Sequence, residues 1–405
     1  MISISKKQLL IIIFTLSVLK PDYFNHLGAV DTALNYWRLA VFAILVLLYY
    51  TNKYFFSLPT VLLIIIEGYI AVDTYINQGN TSYCFKMLFT IIGIAMIYEH
   101  FSVDYEDFVN AELIAYEILI YINLISILMF PNGLYKTISN KNWFLGYYNS
   151  HIQYFLPALI FALLYNGKKA VIRRMVLISA MFISSFLTWS GGSIATLFVI
   201  VFCYLFTINK TSIFNYYSYW MIQPAFFALV ILNGKIGYLK WIVGEVLGKW
   251  HSFNNRIRIW NIELKHIPDF YLFGKGIEYS PVRVRVYFKM PWAVHAHNFI
   301  LEALHQGGII YLFLLSILIL YTGRKILTVN YDRRIKVISL AFLGWAVRGT
   351  VDPCLHVAWA AFFILACSVA NQIKLDTSFE YNCKAIVGNG GKDGKSDILC
   401  QTNVS

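Results

Sequence analysis

Charge is scarce in this chain. Only 13% of its 405 residues are Asp, Glu, Lys or Arg, roughly half the share of an ordinary soluble domain. Such a chain cannot cover a water-facing surface, which excludes a soluble globular enzyme. Patterned cysteine is also lacking. Cys84, Cys203, Cys354, Cys367, Cys383 and Cys400 include no C-x-x-C pair and no metal-ligand spacing, so neither a zinc module nor a disulfide framework is expected. No short-period repeat, collagen-like triplet or coiled-coil heptad runs through the sequence. The first apolar segment, LLIIIFTLSVL, lacks a small-residue cleavage site before Pro21-Asp22. It reads as a retained span and not as a removed signal peptide.

What the chain has in abundance is apolar length. Hydrophobic residues make up 59% and aromatic residues 17%, which suits membrane spans with interfacial aromatic belts. About twelve apolar segments can be drawn, near 7–25, 35–51, 58–76, 83–99, 110–130, 151–166, 170–188, 191–208, 214–232, 299–322, 335–351 and 354–371. The expected fold is an all-α polytopic membrane protein with about twelve transmembrane helices. Nine fall in residues 1–232 and three in 299–371. A long loop of short amphipathic helices, 233–298, separates the two groups, and a flexible tail, 372–405, follows.

Orientation follows from the excess of Lys and Arg in short cytoplasmic loops. Lys6 and Lys7, then Lys168, Lys169, Arg173 and Arg174, then Arg324, Lys325, Arg333 and Arg334 fall on one side of the drawn spans. That side is the cytoplasm, with both termini inside. The net charge of +12 is therefore read as topological, without a nucleic-acid partner. The 233–298 loop then lies outside, with ten basic residues against four acidic ones. Its basicity fits either anionic headgroups or an anion-binding function.

Within the loop, SFNNRIRIWNIELKHI places Ile257, Trp260, Leu264 and Ile267 at helical spacing. A Trp on such a helix suits a membrane interface. Arg256 and Arg258, two apart, cannot share a face. One is available for a phosphate and the other for solvent or Glu263. A planar guanidinium suits phosphate because it offers parallel charge-assisted hydrogen bonds. YLFGKGIEYSP follows, with Gly274 and Gly276 read as a turn. Then comes VHAHNFILEALHQGG. A helix starting near Asn298 puts Asn298, Glu302 and His305 on one stripe, and its N-terminus presents free N–H groups. His297 at that lip can act as a base, with His295 as a neighbour that orients or hydrates the site; the alternative is a histidine resting among headgroups. Asn149 and His151 open the sixth span, small polar residues fill TWSGGS, and Arg348 and Asp352 lie four apart at the outer end of the eleventh.

In order, LGYYNSH, R-x-x-I-W, FGKG and H-x-H-N-x-x-L-x-x-L-x-x-x-G leading a span resemble the O-antigen ligase and polysaccharide polymerase (Wzy-type) superfamily. The resemblance implies a bacterial cytoplasmic-membrane glycosyltransferase with its site on the extracytoplasmic side. Such enzymes move a glycan from an undecaprenyl pyrophosphate carrier to an acceptor hydroxyl, with no required metal or cofactor. Partners would be the lipid-linked oligosaccharide, the growing glycan, membrane lipid, a flippase and a chain-length regulator. Carried over, Arg256 matches the donor-binding arginine, His297 the acceptor-activating histidine, and Asn149 the asparagine of a G-x-x-N piece. Asn298, Glu302 and His295 support or contact substrate. One departure stands out. Many members carry an Arg after Ser or Thr at the outer start of the span that begins WSGGSIATL, where this chain has Gly191 and Gly192. Arg258, Arg348, Arg283 or Arg285 can substitute. A polymerase of capsule, exopolysaccharide or O-antigen repeats is expected; a ligase acting on finished glycan and a flippase of lipid-linked units are the alternatives.

Overall fold

A computed structural model describes residues 4–137, 140–207, 215–233, 240–241, 244–245, 248, 250–283, 293–354 and 357–389. Arg285, Lys235, Lys249, Lys289 and the tail beyond Asn389 lie outside the described residues. Each of the twelve apolar segments coincides with a helix: α1 Lys6–Val18, α2 Gly28–Thr51, α3 Leu58–Ile76, α4 Thr81–Phe101, α5 Tyr105–Met129, α6 Ile152–Leu164, α7 Ala170–Leu187, α8 Gly191–Thr207, α9 Tyr216–Leu232, then, after the loop, α12 Phe299–Leu327, α13 Arg333–Gly349 and α14 Val357–Asn389. The loop itself contributes α10 Trp250–His266 and the short α11 Ser280–Arg283.

The architecture is that of an all-α polytopic membrane protein. Among the described residues seven helices are long and apolar enough to cross a bilayer: α2, α3, α4, α5, α7, α12 and the part of α14 spanning Ala358–Thr377. The other five, α1, α6, α8, α9 and α13, are only 13 to 17 residues long, short of the roughly 20 residues a straight span needs. α6 is 13 residues long and is buried on every face, from Ile152 through Phe155 to Leu164, so it serves as a core helix around which α5, α7 and α13 pack. Outward faces are apolar instead: Leu39, Leu47, Val171, Phe198 and Phe313 are each more than half exposed, a pattern that suits lipid and not water.

Three features depart from the sequence reading. A small antiparallel sheet, β1 Tyr135–Thr137, β2 Asn140–Trp143 and β3 Gly146–Tyr147, follows α5. Its strands are too short to leave a periodic signal. The last helix runs on to Asn389, where a flexible tail was expected; Gln372 Nε2 donates to Ser102 O at 2.7 Å and ties the extension to the bundle. Trp260 does not reach a membrane interface. It is 2% exposed and packs against Phe226 and Phe253, so the apolar stripe of α10 is covered by protein.

The bundle has two chemically distinct ends. At one, Lys7 pairs with Asp104, Arg173 forks onto Glu117 at 2.7 Å, and Arg333 donates to Asn166 at 2.8 Å. The basic loops that the positive-inside argument grouped together do share an end. α13 runs from Arg333 there to Arg348 at the opposite end, roughly 22 Å away at 1.5 Å per residue.

Candidate active site

The end opposite the basic loops is organised around the start of α12. Asn298 is its N-cap: the side-chain oxygen accepts from Leu301 N at 3.1 Å, satisfying one of the helix's free donors. Asn298 Nδ2 also donates to Gly349 O and Thr350 O at 3.4 and 3.3 Å. One side chain therefore starts α12 and fixes the end of α13, where Arg348 sits. Immediately before the cap, His297 adopts φ +52°, a left-handed conformation that side-chain-bearing residues rarely adopt. The turn brings its ring within 3.9 Å of the His295 ring, centroid to centroid, and His297 N donates to His295 Nδ1 at 3.2 Å.

The turn is held from below by a buried ionic network. Glu302 Oε2 accepts from Ala296 N, between the two histidines, at 2.6 Å. Arg283 forks onto both oxygens of Glu302 at 2.6 and 2.8 Å, and reaches Glu263 of α10 at 3.1 Å. Burial alone would weaken the Arg283 charge, but Glu302 and then Glu263 outweigh it and push its pKa above the usual arginine value. His305 bridges Glu263 at 3.0 Å and Glu278 at 2.9 Å. The expected stripe of Asn298, Glu302 and His305 thus exists, and every member faces protein. Glu263 is taken by Arg283 and His305, not by Arg258.

FGKG has a structural role beyond a turn. α12 is broken at Gly307–Gly308, Gly308 having φ +63°. The loop inserts into the break: Lys275 N and Gly276 N donate to His305 O and Gln306 O at 2.8 Å, and Ile309 N donates to Tyr271 O at 2.8 Å. Non-helical backbone at membrane depth is tolerated only when buried in protein or lining a cavity, and here a loop segment supplies the missing partners. A Cβ at Gly274 would lie 2.5 Å from Gly307 N, so this close approach requires glycine.

Above the network lie the cations. Arg256 and Glu263 are seven apart on α10, hence on one face, so the pairing of Glu263 also orients Arg256 toward the site. Among the described residues Arg256 makes no ion pair or hydrogen bond, and its Nε is buried without a partner. Burial, then the neighbouring Arg348, lower its pKa. Arg348 is 2% exposed, pairs with Asp352 as the i,i+4 spacing predicts, and donates to Asn149 O at 3.2 Å. Asn149 Oδ1 in turn accepts from Ser190 Oγ at 3.4 Å. The Arg348 guanidinium occupies the space beside Gly192 where a Cβ would stand. Gly192 thus makes room for an arginine delivered from α13.

His297 lies within this field. Burial first, then His295, Arg256, Arg348 and Arg283, hold its pKa well below the ordinary 6.5. Its imidazole is therefore neutral, and its Nδ1 is buried without a hydrogen-bond partner. The structure brings Arg256, Arg348, His297, His295 and Asn149 together. Asn298 and Glu302 lie directly beneath as supports. Arg258 is exposed on the other side of α10, and Arg283 is committed to carboxylates. Sequence reasoning missed Glu263, Glu278 and Gly192 as members of this region. The seven-residue Arg256–Glu263 spacing was the available signal for the first. No family model matches the chain, and no curated protein matches it in sequence.

Proposed function

We propose that the protein is a membrane glycosyltransferase that polymerises lipid-linked oligosaccharide repeat units at the outer face of the bacterial cytoplasmic membrane. The observation that carries this reading is the close pair Arg256 and Arg348, of which only Arg348 has an ion pair, to Asp352, beside a neutral histidine whose Nδ1 is buried without a partner. Like charges are costly to bury without compensation, and a multiply charged anion such as a pyrophosphate supplies it. The resemblance of the ordered motifs to the polymerase and ligase superfamily points to the same chemistry.

The donor pyrophosphate lies between Arg256 and Arg348, each offering a planar fork. His297 accepts the proton of the acceptor hydroxyl as that oxygen attacks the anomeric carbon. A new C–O bond forms, the bond to the pyrophosphate oxygen breaks, and the lipid pyrophosphate leaves with its electron pair. Two guanidiniums stabilise the charge that develops on it. The same two charges depress His297 in the free enzyme. Donor binding offsets them, so the base strengthens when both substrates are in place. In this reading all twelve helices of the bundle are spans, Lys7, Arg173 and Arg333 mark the cytoplasmic end, both termini are cytoplasmic, and lipid substrates enter laterally.

The test is the purified protein in detergent with a synthetic undecaprenyl-pyrophosphate-linked repeat. A ladder of longer glycans on the carrier is expected. No elongation with active lipid-linked substrate would overturn the reading. A flippase makes no polymer without a sealed membrane. A ligase is recognised in cells by full-length polymer left on its carrier when the gene is lost, where loss of a polymerase leaves single repeats.

A further inference from the structure

The polymerase reading demands a second lipid. Both the growing chain and the incoming unit carry polyprenyl pyrophosphate, and only one such headgroup can sit at Arg256 and Arg348. On the side of the bundle formed by α1, α2 and α4 lies a cavity of about 300 Å³. Its walls are Leu39, Phe42, Leu45 and Phe89, with Leu39 and Phe89 exposed toward the lipid side. Arg38 and Lys86 line it too, from two different spans. Arg38 lies ten residues into α2, roughly 15 Å below its start. An ionisable residue at that depth calls for a partner.

The protein supplies that partner only in part. Arg38 Nε and Nη2 donate to Ser17 O and Val18 O at 3.1 and 3.3 Å, closing the end of α1. Among the described residues neither Arg38 nor Lys86 meets a carboxylate. The nearby Lys20 differs, being paired with Asp31. Two uncompensated cations at an apolar cleft opening to lipid match an anion attached to a long hydrocarbon chain. The cleft also lies at the catalytic end. Tyr154 Oη donates to Lys20 O at 3.3 Å, next to the Val18 wall, and five residues earlier Asn149 O accepts from Arg348.

We propose that the α1–α2–α4 cleft binds the polyprenyl phosphate end of the acceptor lipid, with Arg38 and Lys86 on the phosphate and the prenyl chain along Leu39, Leu45 and Phe89. This inference rests on the polymerase reading for its need of two lipid carriers. The binding itself is testable without turnover.

The experiment is native mass spectrometry of the full chain in detergent, titrated with undecaprenyl monophosphate and, separately, phosphatidylglycerol. Wild type is expected to retain two prenyl phosphates. Lys86→Gln and Gly93→Leu are each expected to weaken one of them at least fivefold. Gly93→Leu is the cleaner variant: a Cβ there meets only Phe42 at 3.7 Å and Val18 at 4.0 Å, so the larger side chain fills the cleft while both cations and the α1 closure stay. Melting temperature checks that each variant folds. If neither variant changes the second binding event, or phosphatidylglycerol displaces the prenyl lipid equally well, the proposal is overturned. If Arg256→Ala keeps both molecules while Gly93→Leu loses one, the cleft stands and the donor assignment falls.

Discussion

Two charged clusters lie a few residues apart at one end of this bundle, and they are built on opposite principles. In the lower one, Arg283 and His305 meet three carboxylates, Glu263, Glu278 and Glu302, each by direct hydrogen bonds of 2.6 to 3.1 Å. In the upper one, Arg348 pairs with Asp352 while Arg256 meets no carboxylate among the described residues, and nitrogens of Arg256, Arg348 and His297 are buried without partners. A closed network fastens parts of a fold. An open one waits for something outside the chain. The contrast separates residues that hold the site from residues proposed to act in it, though all are polar, at most partly exposed and near one another.

Substitutions in the two clusters should therefore fail differently. In the open cluster, Arg256→Ala, Arg348→Ala and His297→Ala should each lower turnover of lipid-linked substrate about 100- to 1,000-fold, the scale of losing one transition-state contact. Melting temperature should stay within a few degrees for Arg256→Ala and His297→Ala, which break no ion pair. A large loss of stability in these variants would erase the distinction. In the closed cluster, Glu302→Ala or Arg283→Ala leaves a buried charge unpaired and should cost about 3–5 kcal/mol of stability, read by thermal unfolding in detergent. Unchanged unfolding would show that the network is not a fastener.

The pH profile sharpens the contrast further. A base must be neutral to accept a proton, so activity falls as pH drops through its pKa. Because burial, His295 and the arginines hold His297 below 6.5, the acid limb of kcat/KM should lie below pH 6.5. Arg348→Gln removes one depressing charge and should move that limb to higher pH. A limb unmoved in this variant would dissociate His297 from the arginines. Gly192→Ala tests the same contact from the other side. Its Cβ must displace the Arg348 guanidinium, so a weakened donor KM is expected, smaller in effect than Arg348→Ala.

The helices were legible because apolar length is a local property, and all twelve segments coincide with them. Arg256, His297 and Arg348 were also visible as unusual polar residues at segment ends. What could not be read was pairing at long range. Nothing local says that Glu263 meets Arg283, or that FGKG fills a break at Gly307–Gly308 thirty residues on. Gly192 illustrates the difficulty best: read alone it is a position without a side chain, but the Arg348 guanidinium of another helix fills the space beside it. The three-stranded sheet escaped notice because strands of two to four residues carry no period.

The smallest expected effect is at Arg258, and it tests the geometry most directly. Two positions on a helix are about 200° apart, so Arg256 and Arg258 cannot enter one site from α10. Glu263, seven residues after Arg256, is held by Arg283 and His305 and fixes which of the two arginines turns inward. Arg258 remains exposed, where a single charge contributes little beyond screened attraction to anionic lipid. Arg258→Gln should change turnover by less than about twofold, within the range of surface substitutions. Should it match Arg256→Ala, the rotation of α10 that separates the open cluster from solvent would be wrong. The Glu263 pairing would then have to be tested by its own variant.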